Sequence, residues 1–227
     1  MLQRTLEPEI MDTREEAVDY DSMDHSEVNR IFVDDLIELS RTNDSQVIDL
    51  GHVFDAGTGT ALIPIELCQR SIVTARVTAA DDALEMLRLG KQNVDAARLE
   101  DRVTLVKEDC KRMSFADDHF DTVISNSIVH HIPQPIAIFR EMARVLRPGG
   151  CLFVRDLMRP ENSETVDQIV ATYAGDANDH QQKMFRESLH AALTVDEVRD
   201  LLDQVHLPTD SVRQTTDRHW TIQIRST

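Results

Sequence analysis

The stretch from Val53 to Leu67, VFDAGTGTALIPIEL, decides how this chain is read. Val53, Phe54 and Ala56 form a short apolar run with one acid, Asp55, inside it. Gly57-Thr58-Gly59-Thr60 follows as a turn, and Ala61 to Leu67 is apolar enough to pack on a sheet as a helix. Of seven glycines in 227 residues, two stand in this turn, where they permit positive φ and close approach of a ligand. The helix that follows should aim its free N–H groups at whatever fills the turn. A strand, glycine turn and helix in that order form a nucleotide-type cradle at the end of a first strand. A dinucleotide fingerprint would need a glycine where Leu62 stands, and a phosphate-binding P-loop would need a following G-K-[ST]. Neither is present.

Length and composition suit one α/β domain able to bury a full core, with 41% hydrophobic and 29% charged residues. No apolar run approaches the ~18 residues of a membrane span, and the first sixteen residues lack a secretory apolar segment. Three widely spaced cysteines, Cys68, Cys110 and Cys151, predict reduced thiols and a cytoplasmic location. The net charge is −17, and the first fifty residues carry fourteen acids against four bases. Such a field repels phosphate backbones and anionic membrane surfaces, which disfavours nucleic acid and membrane as partners.

Working outward, residues 1–16 predict a loosely docked lead, followed by an extended segment holding Tyr20, Met23 and His25. Val28, Ile31, Phe32, Leu36 and Leu39 predict an amphipathic helix from Ser26 to Ser40, and Asn43-Asp44-Ser45 a turn. IVTARVTA (72–79), VTLV (103–106), FDTVIS (120–125) and CLFVRDL (151–157) predict four further strands in a strand–helix alternation. Two helical stretches, Ser163–Ala174 and Asp179–Ala192, break that alternation as an insert over the carboxyl edge. Thr194 and Glu197 form a capping box for the next helix, and SVRQTT and HWTIQIR predict a late antiparallel pair.

Four motifs in order resemble the class I S-adenosylmethionine-dependent methyltransferases of small-molecule type. The first, D/E-x-G-x-G-x-G, reads here Asp55-Ala56-Gly57-Thr58-Gly59-Thr60-Ala61, with alanine in place of the third glycine. The others are Asp81-Asp82-Ala-Leu-Glu-Met-Leu, Asp109-Cys110 with Met113-Ser-Phe115 after it, and RVLRPGG (144–150). The resemblance implies an α/β fold: a seven-stranded, mainly parallel, doubly wound (Rossmann-like) sheet with helices on both faces and an antiparallel last strand. It divides the chain into a cofactor-covering segment over residues 1–45 and a methyltransferase domain over 46–227, whose helical lid spans 159–193. The implied cofactor is S-adenosyl-L-methionine, leaving as S-adenosyl-L-homocysteine.

The cofactor-binding residues so implied are Asp55, Ala56, Gly57, Thr58 and Gly59 in the turn; Asp81 for the ribose hydroxyls; and Asp82 for a backbone or adenine-edge contact. Asp109 would accept from the adenine amine while the Cys110 N–H meets a ring nitrogen. Asn126 would serve the amino-acid end. Tyr20, Asn29 and Arg30 would face the ligand from the cover. His131 and Asp156 stand at strand ends where an acceptor could be oriented, without an assigned catalytic role. No metal is expected: adjacent histidines at 130 and 131 in an extended loop would point apart, and no third ligand is evident. The implied activity is methyl transfer to a small molecule of unidentified chemistry. Two alternatives stay open: a non-catalytic binder of the cofactor or its demethylated product, and an RNA or protein methyltransferase. The oligomeric state is not written in the sequence.

Overall fold

The computed structural model describes residues 2–8, 10, 12–41 and 46–225. The turn expected at Asn43-Asp44-Ser45 lies outside the described residues. Strands β1 (Ile48–Ala56), β2 (Val73–Asp81), β3 (Val103–Lys107), β4 (Phe120–Asn126) and β5 (Leu146–Leu157) run parallel, and β6 (Val212–Gln214) and β7 (His219–Arg225) form an antiparallel hairpin. Together they make one seven-stranded sheet ordered β3-β2-β1-β4-β5-β7-β6, with β7 antiparallel to β5. The order reverses between β1 and β4, so the crevice of this open sheet lies past the carboxyl ends of those two strands.

Eight helices cover the sheet among the described residues: α1 (Arg14–Ser22), α2 (Ser26–Ser40), α3 (Leu62–Gln69), α4 (Leu84–Ala97), α5 (Ile136–Val145), α6 (Ser163–Ala174), α7 (Asp179–Ala191) and α8 (Val195–Gln204). Successive strand residues point to opposite faces, and the core follows that rule. Val53 joins Phe32, Val33 and Leu36 of α2, Leu67 of α3 and Val94 of α4 on one side. Phe54 joins Phe139 and Met142 of α5, Val198 and Leu202 of α8, and Trp220 on the other. Strands covered on both faces read as nearly continuous apolar runs.

Helix α2 is bound into the first of these layers. The Phe32 and Phe153 rings meet edge-on at 4.8 Å, and Arg155 reaches Asp35 at 2.5 Å with its guanidinium over both rings. Residues 26–40 therefore share a core with the sheet across the expected boundary near residue 45.

Two expectations need correction. Tyr20 is not in an extended segment: α1 begins at a capping box in which the Glu16 N–H donates to Thr13 Oγ1 (3.2 Å) and the Thr13 N–H to Glu16 Oε2 (3.1 Å). The strand–helix alternation also lapses once. Between β3 and β4 the chain makes turns without a helix. There Ser114 donates to Glu108 (N–H, 3.0 Å) and the Met113 N–H to Glu141 (2.7 Å), so side-chain carboxylates satisfy N–H groups that a helix would have bonded internally.

The expected insert is present as α6 and α7, which pack on each other through Val166, Ile169, Val170 and Leu189. The lead runs beside α7, with the Thr5 N–H donating to the His190 carbonyl at 3.0 Å and Arg4 Nε to that of Ala191 at 2.6 Å. Among the described residues no helix is long and apolar enough to cross a membrane.

Candidate functional site

The turn after β1 is wound tightly against β2. The N–H groups of Gly57 and Thr58 both donate to the Ala80 carbonyl (2.9 and 2.8 Å), and that of Ala61 donates to Thr58 (3.0 Å). Most of the turn's own N–H groups are thus consumed by the fold rather than left for a ligand. The first N–H groups of α3, which lack intrahelical partners, belong to Leu62 and Ile63, and both residues line a recess beneath the turn. Gly57, Gly59 and Ala61 all have positive φ, at 73°, 54° and 62°.

Two adjoining spaces open here. The larger is a cleft of about 760 Å³, counted to its solvent mouth, lined by Tyr20, Gly57, Gly59, Asp81, Asp82, Asp109, Cys110 and Asn126 among others. The smaller recess, about 300 Å³, is lined by Asn29, Asp55, Thr58 and Thr60, and shares Tyr20, Gly57 and Asn126 with the cleft. Eleven of the thirteen cofactor-facing residues singled out from sequence therefore surround one crevice.

Two do not. The Ala56 side chain is sealed in the layer of Phe54. Arg30 is half exposed and pairs with Asp34 at 3.0 Å, lining neither space. Its neighbour Asn29, one step and ~100° around the helix, is buried and faces the recess.

Asp81, at the end of β2, accepts the Gly59 N–H at 2.8 Å on one oxygen and the Ala83 N–H at 2.9 Å on the other. Burial raises its pKa, and these two donors work against the rise. Asp82 lies on the cleft wall, 3.2 Å from Lys107 Nζ. Asp109 is held by the Lys111 ammonium (2.7 Å) and the Lys111 N–H (2.9 Å). Burial pushes the Cys110 thiol far up, so it stays protonated. Tyr20, pushed up to about 12 by burial and then by Asp81 and Asp55, is a neutral phenol.

Asp55 is 2% exposed and its carboxyl is pushed up to about 7, chiefly by burial. Among the described residues, Asp55 Oδ2, Thr58 Oγ1 and Thr60 Oγ1 are buried without a hydrogen-bond partner, and all three residues line the recess. Buried polar atoms seldom go unpaired in a finished structure. Three converging on one recess fit a ligand with a charged, hydrogen-bonding end. The apolar wall of the cleft, with Met86, Ile128 and Ile132, fits a flatter, less polar body.

At the end of β5, Asp156 does not face an acceptor. It is completely buried and takes the N–H groups of Val129 and Leu157 (both 2.6 Å) and His130 Nδ1 (2.5 Å). Its office is to hold the 3-10 turn Val129–His131. That turn also corrects the expectation that the two histidines diverge: their ring centroids lie 4.2 Å apart, tilted by 34°. His131 lines the cleft.

Residues 54–154 match a family model described as a methyltransferase domain. The demethylmenaquinone methyltransferase of Porphyromonas gingivalis is 36% identical over 108 residues, 48% of this chain and 44% of that protein. The phosphatidylethanolamine N-methyltransferase of Cereibacter sphaeroides is 35% identical over 100 residues, 44% of this chain and 47% of that protein. Each matched stretch thus spans under half the length of the relative. A solved structure described as a candidate S-adenosyl-L-methionine-dependent methyltransferase of Methanococcus maripaludis superposes with a TM-score of 0.71 over 98% of both chains, at 19% identity, which shows a shared fold. Residues 54–154 thus carry a methyltransferase domain, and the ordered motifs and seven-stranded sheet around it have the fold of the class I S-adenosylmethionine-dependent methyltransferases.

Proposed function

We propose that this protein binds S-adenosyl-L-methionine in the crevice around Gly57–Gly59 and transfers its methyl group to a small molecule. The observation that carries the reading is the recess of unpaired polar atoms around Asp55, joined to a half-apolar cleft whose rim holds Asp81. In this reading the recess takes the amino-acid end of the cofactor, with the Asp55 carboxylate beside its ammonium and Asn29, Thr58, Thr60 and Asn126 around it. Asp81 retains spare lone pairs for the ribose hydroxyls beyond its two backbone donors. Asp109 and the Cys110 backbone frame the adenine, and Asp82 stands at its edge. Tyr20 covers the turn.

The bound cofactor supplies an electrophilic methyl on a sulfonium leaving group. The protein's contribution is then alignment and exclusion of water by the lead, α1 and the α6–α7 insert. His131 also stands on the cleft wall, with Ile128 and Ile132.

The two relatives are named for a quinone and for a phospholipid amine. These are chemically distant acceptors, so the proposal extends no further than a small-molecule acceptor. A net charge of −17 argues against a nucleic-acid acceptor. Three free, buried thiols fit a reducing cytoplasmic setting.

The test is calorimetry with S-adenosyl-L-homocysteine, followed by incubation with methyl-labelled cofactor and a metabolite panel. Binding with transfer supports the proposal. Binding without transfer to any acceptor favours a non-catalytic binder, and absence of binding rejects the site.

A further inference from the structure

The titratable cluster behind the cleft is not used in the reading above. Glu7 of the lead, His130 and His131 each present one ligand atom, and the three atoms lie within 4.8 Å of one another. Glu7 Oε1 stands 3.1 Å from His131 Nδ1 and 3.5 Å from His130 Nε2. We propose that Glu7, His130 and His131 form a binding site for a divalent transition-metal ion, of the zinc, cobalt or iron(II) class, against the wall of the cleft.

Three observations carry this, and none depends on the methyltransferase reading. First, Glu7 Oε1 and His131 Nδ1 are both buried without a hydrogen-bond partner among the described residues, although only 3.1 Å apart. They meet at ion-pair distance without hydrogen-bond alignment. Nitrogen and oxygen ligands at ~2.0–2.1 Å around a tetrahedral ion are themselves separated by about 3.3 Å. The observed 3.1 and 3.5 Å bracket that spacing.

Second, each ligand is fixed by a partner on its other side. His130 Nδ1 lies 2.5 Å from Asp156, which turns Nε2 toward Glu7. Glu7 Oε2 accepts from Ser188 Oγ at 3.1 Å, which leaves Oε1 turned inward. A carboxylate holding the far nitrogen of a histidine is the usual support of a metal ligand.

Third, the side chains are dry: 8% exposed for Glu7, 3% for His130 and 17% for His131. Two histidines and one carboxylate suit zinc or iron(II), and three protein ligands leave a coordination position open. That is the pattern of an ion that meets a substrate, and His131 belongs to the cleft as well as to the cluster.

Other charges face the cluster. The Arg4 guanidinium sits over the turn, donating to the carbonyls of His130 and Ile132 (both 3.0 Å), and opposes a cation. Glu7 and Asp156 offset it. Burial presses His130 toward its neutral form, but Asp156 and Glu7 outweigh burial and raise its pKa.

The test uses the full chain, stripped with a chelator and desalted. Titration with Co(II) should give visible d–d bands saturating at one equivalent. Zn(II) calorimetry should likewise report one equivalent bound. Glu7→Gln and His131→Ala should each weaken binding at least tenfold, while His180→Ala, at an exposed position of α7, should not. Thermal melts establish that the variants are folded. On the unsubstituted protein, Zn(II) should shift imidazole 15N resonances of two histidines, one through Nε2 and one through Nδ1. Failure of both ions to bind, no shift of any ring, or folded Glu7→Gln and His131→Ala variants that bind as tightly as the parent would overturn the proposal.

Discussion

Asp81 Oδ2 accepts the Gly59 N–H at 2.8 Å, so the acid ending β2 and the second glycine of the turn form one structural unit. The acid therefore shapes the cradle before any ligand arrives. Asp81→Ala should orphan two N–H groups, costing ~1–3 kcal/mol of stability for each one left without a partner. It should also weaken S-adenosyl-L-homocysteine binding by at least tenfold. Thermal unfolding and calorimetry read the two effects separately; unchanged affinity in folded Asp81→Ala would place the ribose elsewhere.

Asp55 gives a pH signature. Its carboxyl is pushed up to about 7 by burial, against ~3.9 for an unfolded aspartate. The folded state thus binds more protons than the unfolded chain between about pH 4 and pH 7. Its contribution to stability is greatest at low pH, declines as pH rises through that window and levels off above 7. Asp55→Asn should remove that slope from a stability–pH series. A ligand ammonium in the recess prefers the carboxylate, so the affinity for S-adenosyl-L-homocysteine should rise from pH 6 to 8. An equal rise in Asp55→Asn would assign the titration to another group.

The two glycines of the turn should behave differently. A Cβ on Gly57 would come 2.2 Å from Ile128 Cδ1, at a φ of +73°. Gly57→Ala should cost ~2–4 kcal/mol, combining left-handed strain with overpacking. A Cβ on Gly59 finds nothing nearer than Tyr20 Cε1 at 3.6 Å. Gly59→Ala should cost ~1–2 kcal/mol from φ alone, while its methyl, on the cleft wall, should still impair binding. Denaturant titrations of both variants check the order.

Neighbours on α2 form another contrast. Asn29→Ala should weaken cofactor binding, because Asn29 is buried at the recess. Arg30→Ala should leave it within twofold, because Arg30 pairs with Asp34 in solvent. Matched calorimetric titrations decide; a large loss in Arg30→Ala alone would reverse the assignment.

Phe32→Ala should cost ~3–5 kcal/mol, since that ring is 1% exposed and packs edge-on against Phe153 at 4.8 Å. A chemical melt shifted by less than 1 kcal/mol would make α2 an accessory cover rather than part of the core.

Much of this was legible in one dimension. Val53–Leu67, the α6–α7 insert and the Thr194–Glu197 capping box carry their structure in local signals, namely apolar period, glycine and cap. Helix α1 escaped because only Ala17 of REEAVDYDS is buried, so no apolar period announces it. Its signal was the Thr13-x-x-Glu16 cap. The choice between Asn29 and Arg30 depends on the rotation of α2, which a charge-based guess ignores. Asp156 looked available because its three donors come from a distant turn and from its own successor along the strand. Glu7 and His130, 123 positions apart, meet only through the path the lead takes along α7.

Ala61 holds a left-handed φ of 62° at the position where the family motif has its third glycine. The bend survives although the letter has changed. What the motif encodes is a sequence of dihedral angles, for which glycine is merely the commonest spelling. A pattern search by residue name would score this loop as damaged, whereas a search by backbone shape would count it whole.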